Sequence, residues 1–155
     1  MAALALTLPS EYGYVLLTAT FTLFSSSWHG VRVGGFRKAA KIPYPQAYAE
    51  SSDMKAASGE EKKKMYLFNC AQRAHGNFLE NMPAFTIAML IAGLRFPVTA
   101  AIMGLGWNVS RIFYAVGYTS PNHDKGQGRL YGLTFWLFQA GLIGMVGWMG
   151  VKMLI

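Results

Sequence analysis

Two stretches of the chain carry no charge over a length that matches a lipid bilayer. Tyr12 to Val31 is uncharged for 20 residues and Leu130 to Val151 for 22. A helix needs ~20 predominantly apolar residues to cross ~30 Å of hydrocarbon, so both are expected to be transmembrane helices. Two less pure candidates lie between them. One runs from Leu67 to Gly93 and contains Arg73 and Glu80; the other runs from Pro97 to Ser120 and contains Arg111. The link Gly93-Leu94-Arg95-Phe96 is too short for anything but an antiparallel helix pair, and Pro97 suits the first turn of the next helix. The chain therefore reads as all-α, an integral membrane four-helix bundle forming one domain over residues 1–155. The expected spans are about 12–33, 67–93, 97–120 and 129–152, with a basic loop at 34–66. A water-soluble four-helix core is the competing architecture, but it conflicts with the outer two segments, in which the sequence shows no polar face.

Composition narrows the function. Charged residues make up 14% of the chain and hydrophobic ones 53%, against ~25% charged in an ordinary soluble domain. That balance excludes a disordered chain. A single cysteine, Cys70, excludes an internal disulfide framework and a CxxC zinc site. No metal site is expected, since no His/Cys/Asp cluster stands at ligand spacing. The N-terminus has no basic segment, and Pro9-Ser10-Glu11 precedes the first apolar run. It does not read as a secretory signal.

The net charge of +7 would suit nucleic acid only if the cations covered a folded face. Seven of the fourteen lysines and arginines instead crowd into the first loop: Arg37, Lys38, Lys41, Lys55, Lys62, Lys63 and Lys64. Lys125 and Arg129 belong to the third loop, on the same side of a four-span bundle. Only Arg95 and Lys152 mark the other side. An excess of Lys and Arg marks the cytoplasm, so both termini are expected on the opposite side. The run Lys62-Lys63-Lys64 reads as a topology signal in preference to a lipid headgroup site.

Ionisable groups within a span are costly and tend to face the bundle interior at a site. Arg73, Asn77 and Glu80 share one face of their helix at i, i+4, i+7, and Arg111, Tyr114 and Tyr118 share one at i, i+3, i+7. The loop ends of these helices lie on one membrane side, together with Arg37, Lys38 and Arg129. Arginines there can pair with carboxylates, Glu80 can take an ammonium group, and Asn77 a peptide amide. This inventory fits a small, mainly anionic peptide. A cation beside a bound thiol would also raise its thiolate fraction at neutral pH. Simpler roles for the same residues are a stabilising Arg73–Glu80 pair, a snorkelling Arg111 and an interfacial tyrosine belt. Cys70 reads as a small packed residue.

The run Phe68-Asn69-Cys70-Ala71-Gln72-Arg73-Ala74-His75-Gly76-Asn77, followed by Glu80 and Pro83, closely resembles the second-helix signature of the MAPEG family, the membrane-associated proteins in eicosanoid and glutathione metabolism. Glu11-Tyr12-Gly13-Tyr14-Val15-Leu16-Leu17, Tyr44-Pro45, and Asn108-Val109-Ser110-Arg111 leading to Tyr114 and Gly117-Tyr118 resemble its third-type microsomal glutathione S-transferase branch. The resemblance covers nearly the whole chain, except for a longer loop from about Ala49 to Met65.

The resemblance implies a homotrimer in the endoplasmic reticulum membrane, with glutathione as co-substrate between subunits and open to the cytosol. It places Arg73, His75, Asn77, Glu80, Arg111, Tyr114 and Tyr118 at glutathione-contacting positions, and Arg37 with Lys38 at a basic contact after the first helix. It assigns thiol activation to an arginine at the start of the fourth helix. That residue is Arg129 here, with Lys125 as the alternative. The implied activity is a glutathione transferase, with glutathione-dependent peroxidase and leukotriene-synthase-like activities in the same family. The second substrate would be a lipophilic electrophile or lipid hydroperoxide from the bilayer. His75 and Asn81 depart from the leukotriene-synthesising branch, which carries glutamine and tyrosine there. The rival functions are a non-catalytic scaffold that binds lipid or glutathione, and a small channel or transporter lined by Arg73, Glu80 and Arg111.

Overall fold

The computed structural model describes residues 8–155; the first seven residues, on which part of the N-terminal reading rests, lie outside the described residues. The described residues form helices and the segments that join them, without a strand. Four long helices dominate: α1 (Tyr12–Ala40), α3 (Gly59–Gly93), α4 (Pro97–Tyr118) and α5 (Phe135–Leu154). Two shorter pieces go beyond the four helices expected. They are α2 (Ser51–Ala56) and a 3-10 helix, Asp124–Gly132.

Contacts along the helices give an up-down-up-down arrangement. The Tyr12 hydroxyl donates to the Leu90 carbonyl at 3.2 Å, while Gly30 lies against His75, so α1 and α3 are antiparallel. Asn108 bonds Thr22 and Arg32 bonds Thr119, so α1 and α4 run in the same direction. Trp107 reaches Gln139 and Phe96 packs on Trp148, so α4 and α5 are antiparallel.

The helices do not share the bounds of the expected spans. The first helix runs past residue 33 to Ala40, where Lys41 takes a left-handed conformation and returns its N–H to Arg37 and Lys38. The third begins eight residues before Leu67, at a capping box in which Ser58 and Glu61 satisfy each other's backbone N–H groups. The loop 34–66 is therefore largely helical. Ala49 is clamped to α3 by both arms of the Asn69 amide, at 2.8 and 2.9 Å. Helix α5 starts at Phe135, not at Arg129.

Among the described residues, α5 alone is long and apolar enough to cross a membrane by length and composition. The expectation of no polar face holds for α5 but not for α1. There, Thr18, Thr22, Ser25 and His29 form an inward stripe, all buried, while Leu16, Leu17, Leu23, Phe24 and Val31 face outward. This is the reverse of the pattern a water-facing helix shows. The core is aromatic. Trp107 stacks on Phe85 with centroids 3.9 Å apart, and Phe78 and Phe135 complete it.

Candidate functional site

Helix periodicity places Arg73, Asn77 and Glu80 on one face of α3, and the side chains meet there. Arg73 Nη1 lies 2.9 Å from Glu80 Oε1. The Asn77 amide donates to Glu80 Oε2 at 3.5 Å and accepts from Arg111 Nη1 at 2.9 Å. The result is a continuous polar row, Arg73–Glu80–Asn77–Arg111, graded from outside to inside. Arg73 and Glu80 are half exposed, at 51% and 54%, whereas Arg111 is fully buried.

Arg111 has no carboxylate against it. Its guanidinium is instead surrounded by the rings of Phe135 (4.3 Å), Tyr114 (4.6 Å), Phe78 and Trp107 (both 5.7 Å). Ring faces attract a cation, by ~2 kcal/mol or more when desolvated, which offsets part of the cost of burying one. This cage belongs to the bundle core, so Arg111 does not snorkel. Tyr114 is buried, and its ring meets that of Tyr118 edge-on at 5.6 Å.

Tyr118 joins the row to the third loop. The Arg129 guanidinium sits 5.5 Å from its ring, and Arg129 Nη1 donates to the carbonyls of Gly126 (2.9 Å) and Lys125 (3.2 Å). Those carbonyls are aligned by consecutive left-handed residues, Lys125 (φ 54°) and Gly126 (φ 66°). A side chain at 126 would strike the Tyr118 ring, so glycine is required there for both backbone and space. A cavity of about 380 Å³ opens beside this corner, lined by Tyr48, Tyr66, Asn69, Cys70, Arg73, Tyr118 and Lys125. The first and third loops thus meet at one end of the bundle. Lys125 lies on the cavity wall, and Arg129 stands behind Tyr118.

Arg37 and His75 are placed elsewhere. His75 is two residues from Arg73 and turns toward Gly30 on α1. It lines a second cavity, about 430 Å³, with Arg37, Tyr44, Tyr48, Gln72 and Gly76. Arg37 is buried and donates to the carbonyls of Gln46 (2.6 Å) and Pro43 (3.4 Å) while stacking on Tyr44 and Phe68, so it organises the turn after α1. Lys38 is exposed. Within the chain the expected residues therefore form two groups on different faces of α3, with Tyr48 lining both cavities.

Several residues at this end were not legible as site residues. Tyr48 gains its position from a folded loop without a periodic pattern, and Tyr66 from the part of α3 that precedes Leu67. Asn69 was read only as part of a motif. Gln139 on α5 is buried and bonds Trp107 Nε1 at 3.1 Å and Asn81 at 3.5 Å; as the one polar residue in Phe135–Val151 it could have been found. Asn81 faces α5 in place of the cavity. Among the described residues no group of His, Cys, Asp and Glu could hold a metal ion.

A helical bundle with an uncharged outer helix and an inward polar row defines a membrane-associated helical protein. The sequence model of the MAPEG family matches residues 15–148. The chain belongs to the MAPEG family, whose members are membrane-associated, use glutathione and include glutathione transferases.

Proposed function

We propose that the protein is a membrane-bound glutathione transferase with glutathione-dependent peroxidase capacity, closest to the third-type microsomal glutathione S-transferases. The observation that carries this reading is the Arg73–Glu80–Asn77–Arg111 row. Its exposed end offers a guanidinium and a carboxylate, its middle an amide, and its buried end a fixed cation. Glutathione has complementary groups: two carboxylates, an ammonium and two peptide amides. Arg73 and Glu80 would exchange part of their mutual pairing for the ligand's charged ends, which are better matched in geometry than water.

Arg129 is assigned to the thiol. Two carbonyls and the Tyr118 ring hold its guanidinium in place, and a charge oriented in advance stabilises an anion without reorganisation. The flexible ammonium of Lys125 lacks such support. Beside a cation a thiol of pKa ~8.5 falls toward neutrality. The thiolate then forms a C–S bond to an apolar electrophile as the leaving group departs with its electron pair. With a lipid hydroperoxide, two glutathiones become one disulfide while the hydroperoxide becomes an alcohol and water.

The second group, Arg37 and His75, with the exposed Lys38 one residue beyond Arg37, supports a site completed by a neighbouring subunit. It cannot join the Arg73 row within one protomer, and a homotrimer in the endoplasmic reticulum membrane would bring the two faces of α3 together. All four long helices would then span the bilayer, with the basic loops in the cytosol. Retention of the whole row favours this reading over a non-catalytic scaffold.

The test is an assay in detergent of conjugation to an aryl halide and of lipid hydroperoxide reduction. Wild type is expected to show at least one activity, Arg73→Ala to raise KM for glutathione, and Arg129→Ala to lose ~100-fold or more in rate, as with removal of a transition-state charge partner. A wild type inactive at neutral pH would overturn the enzymatic reading. Full activity in Arg129→Ala with none in Lys125→Ala would move thiol activation to Lys125. Solute flux in liposomes without conjugation would favour a channel.

A further inference from the structure

Helix α5 buries three side chains: Phe135, Gln139 and Leu142. Two are apolar, as a lipid-embedded helix requires. Gln139 is buried among aromatic side chains, where an unpaired amide is costly. Its oxygen accepts from Trp107 Nε1 at 3.1 Å, and its amide nitrogen donates to Asn81 Oδ1 at 3.5 Å. Asn81 Nδ2 in turn donates to the backbone carbonyl of Asn77 at 2.8 Å. The chain of bonds thus runs from α4 through α5 to the turn of α3 that carries Asn77 and Glu80.

That turn needs outside support. Pro83 lies inside α3 and has no N–H to give the carbonyl of Leu79, so the ladder is broken beside Glu80. A side-chain amide returned to the carbonyl four residues back, as Asn81 gives Asn77, tends to bend a helix further. The grip of Gln139 on Asn81 ties this bend to α5, as the Arg111–Asn77 bond ties it to α4.

We propose that Gln139, acting through Asn81, is a positioning residue for the ligand-binding row, holding the proline-weakened turn of α3 so that Asn77 and Glu80 stand in register with Arg73 and Arg111. The proposal rests on the glutathione-binding reading above for its ligand, but not for the tether itself.

The experiment uses the full chain in lipid nanodiscs, with Gln139→Leu, Asn81→Leu, the double variant, and Gln139→Glu. Hydrogen exchange by mass spectrometry reads the amides of residues 77–84 without ligand, and calorimetry and kinetics read glutathione. Gln139→Leu is expected to speed exchange in that segment and to raise KM for glutathione about tenfold, roughly the effect of leaving one buried partner unpaired, while kcat moves much less. The double variant should be no worse than either single one, because both cut the same chain. Gln139→Glu, whose protonated carboxyl can still donate to Asn81, should recover affinity as pH falls. Unchanged exchange, or a lowered melting temperature with glutathione affinity intact, would overturn the positioning role. If wild type does not bind glutathione, the functional reading fails, and the exchange comparison still decides the tether.

Discussion

Arg111 concentrates what individual residues contribute to this protein. It is fully buried, bonded to Asn77, and faces four rings with no carboxylate among its contacts. A buried charge carries a desolvation cost that an apolar side chain of similar volume does not, and at Arg111 ring faces and hydrogen bonds offset that cost without a carboxylate. Arg111→Met should therefore melt at the same temperature as wild type or higher, yet bind glutathione at least ~10-fold more weakly, since a hydrogen bond to a charged group contributes ~1.5–3 kcal/mol. Thermal unfolding and calorimetry on one preparation check both halves. A large loss of stability would mean that Arg111 holds the bundle together and does not serve a ligand. The two arginines on the proposed thiol corner differ in kind. Arg73 is exposed and paired, while Arg129 is tied to backbone carbonyls.

At the scale of elements, helix ends do most of the placing. The capping box before α3 has Ser58 and Glu61 bonding each other's backbone N–H groups at 3.0 and 3.4 Å. The hydrogen bond from the Ser58 backbone holds the Glu61 carboxyl below the ordinary carboxylate range. A lowered folded-state pKa contributes stability above the unfolded value and loses it as pH falls through the folded one. The first turn of α3 should therefore fray on acidification below the ordinary glutamate range. Glu61→Gln should already fray at neutral pH and show a weaker acid response. Hydrogen exchange of residues 59–64 at pH 7 and pH 3 reads the difference. The 3-10 helix docks on α4 through a comparably specific contact: a methyl on Gly117 would collide with the Gly128 carbonyl. Because that obstacle is backbone, Gly117→Ala is expected to lower stability by ~1–3 kcal/mol and to loosen the turn that carries Arg129. A variant as stable as wild type in thermal unfolding would refute the close packing.

For the whole molecule, the decisive feature is what remains uncovered. Outward Leu16, Leu17, Phe24 and Val31 on α1, Ile102 and Phe113 on α4, and most of α5 are exposed in the single chain, far more apolar surface than a soluble monomer leaves open. Lipid and neighbouring subunits would share that surface. The proposed trimer predicts a particle of three 17.0 kDa chains in native mass spectrometry from detergent. A monomer that binds glutathione at full affinity would remove the argument that Arg37 and His75 complete the site from a second copy.

How much of this was legible in the sequence depends on range. The row at Arg73, Asn77 and Glu80 could be read because helical spacing is local: residues four apart lie on one face whatever surrounds them. The uncharged runs could be read for a similar reason, since water, lipid and backbone hydrogen bonding impose their demands residue by residue. His75 was assigned with Arg73 from motif position, yet two residues turn a helix by most of half a circle, and it faces α1. The inward polar stripe of α1, at positions 18, 22, 25 and 29, has the same helical spacing and was equally legible, but a reading by charge alone passes over hydroxyls and a neutral imidazole. The start of α5, the Lys125–Gly126 turn and the tether from Gln139 to Asn81 depended on residues far apart in the chain coming within a few ångströms. The sequence by itself determined the four long helices, the membrane character and the polar inventory, because these follow from local spacing and hydropathy. Only the tertiary structure decided which polar groups meet, because a hydrogen bond depends on distances that packing alone sets.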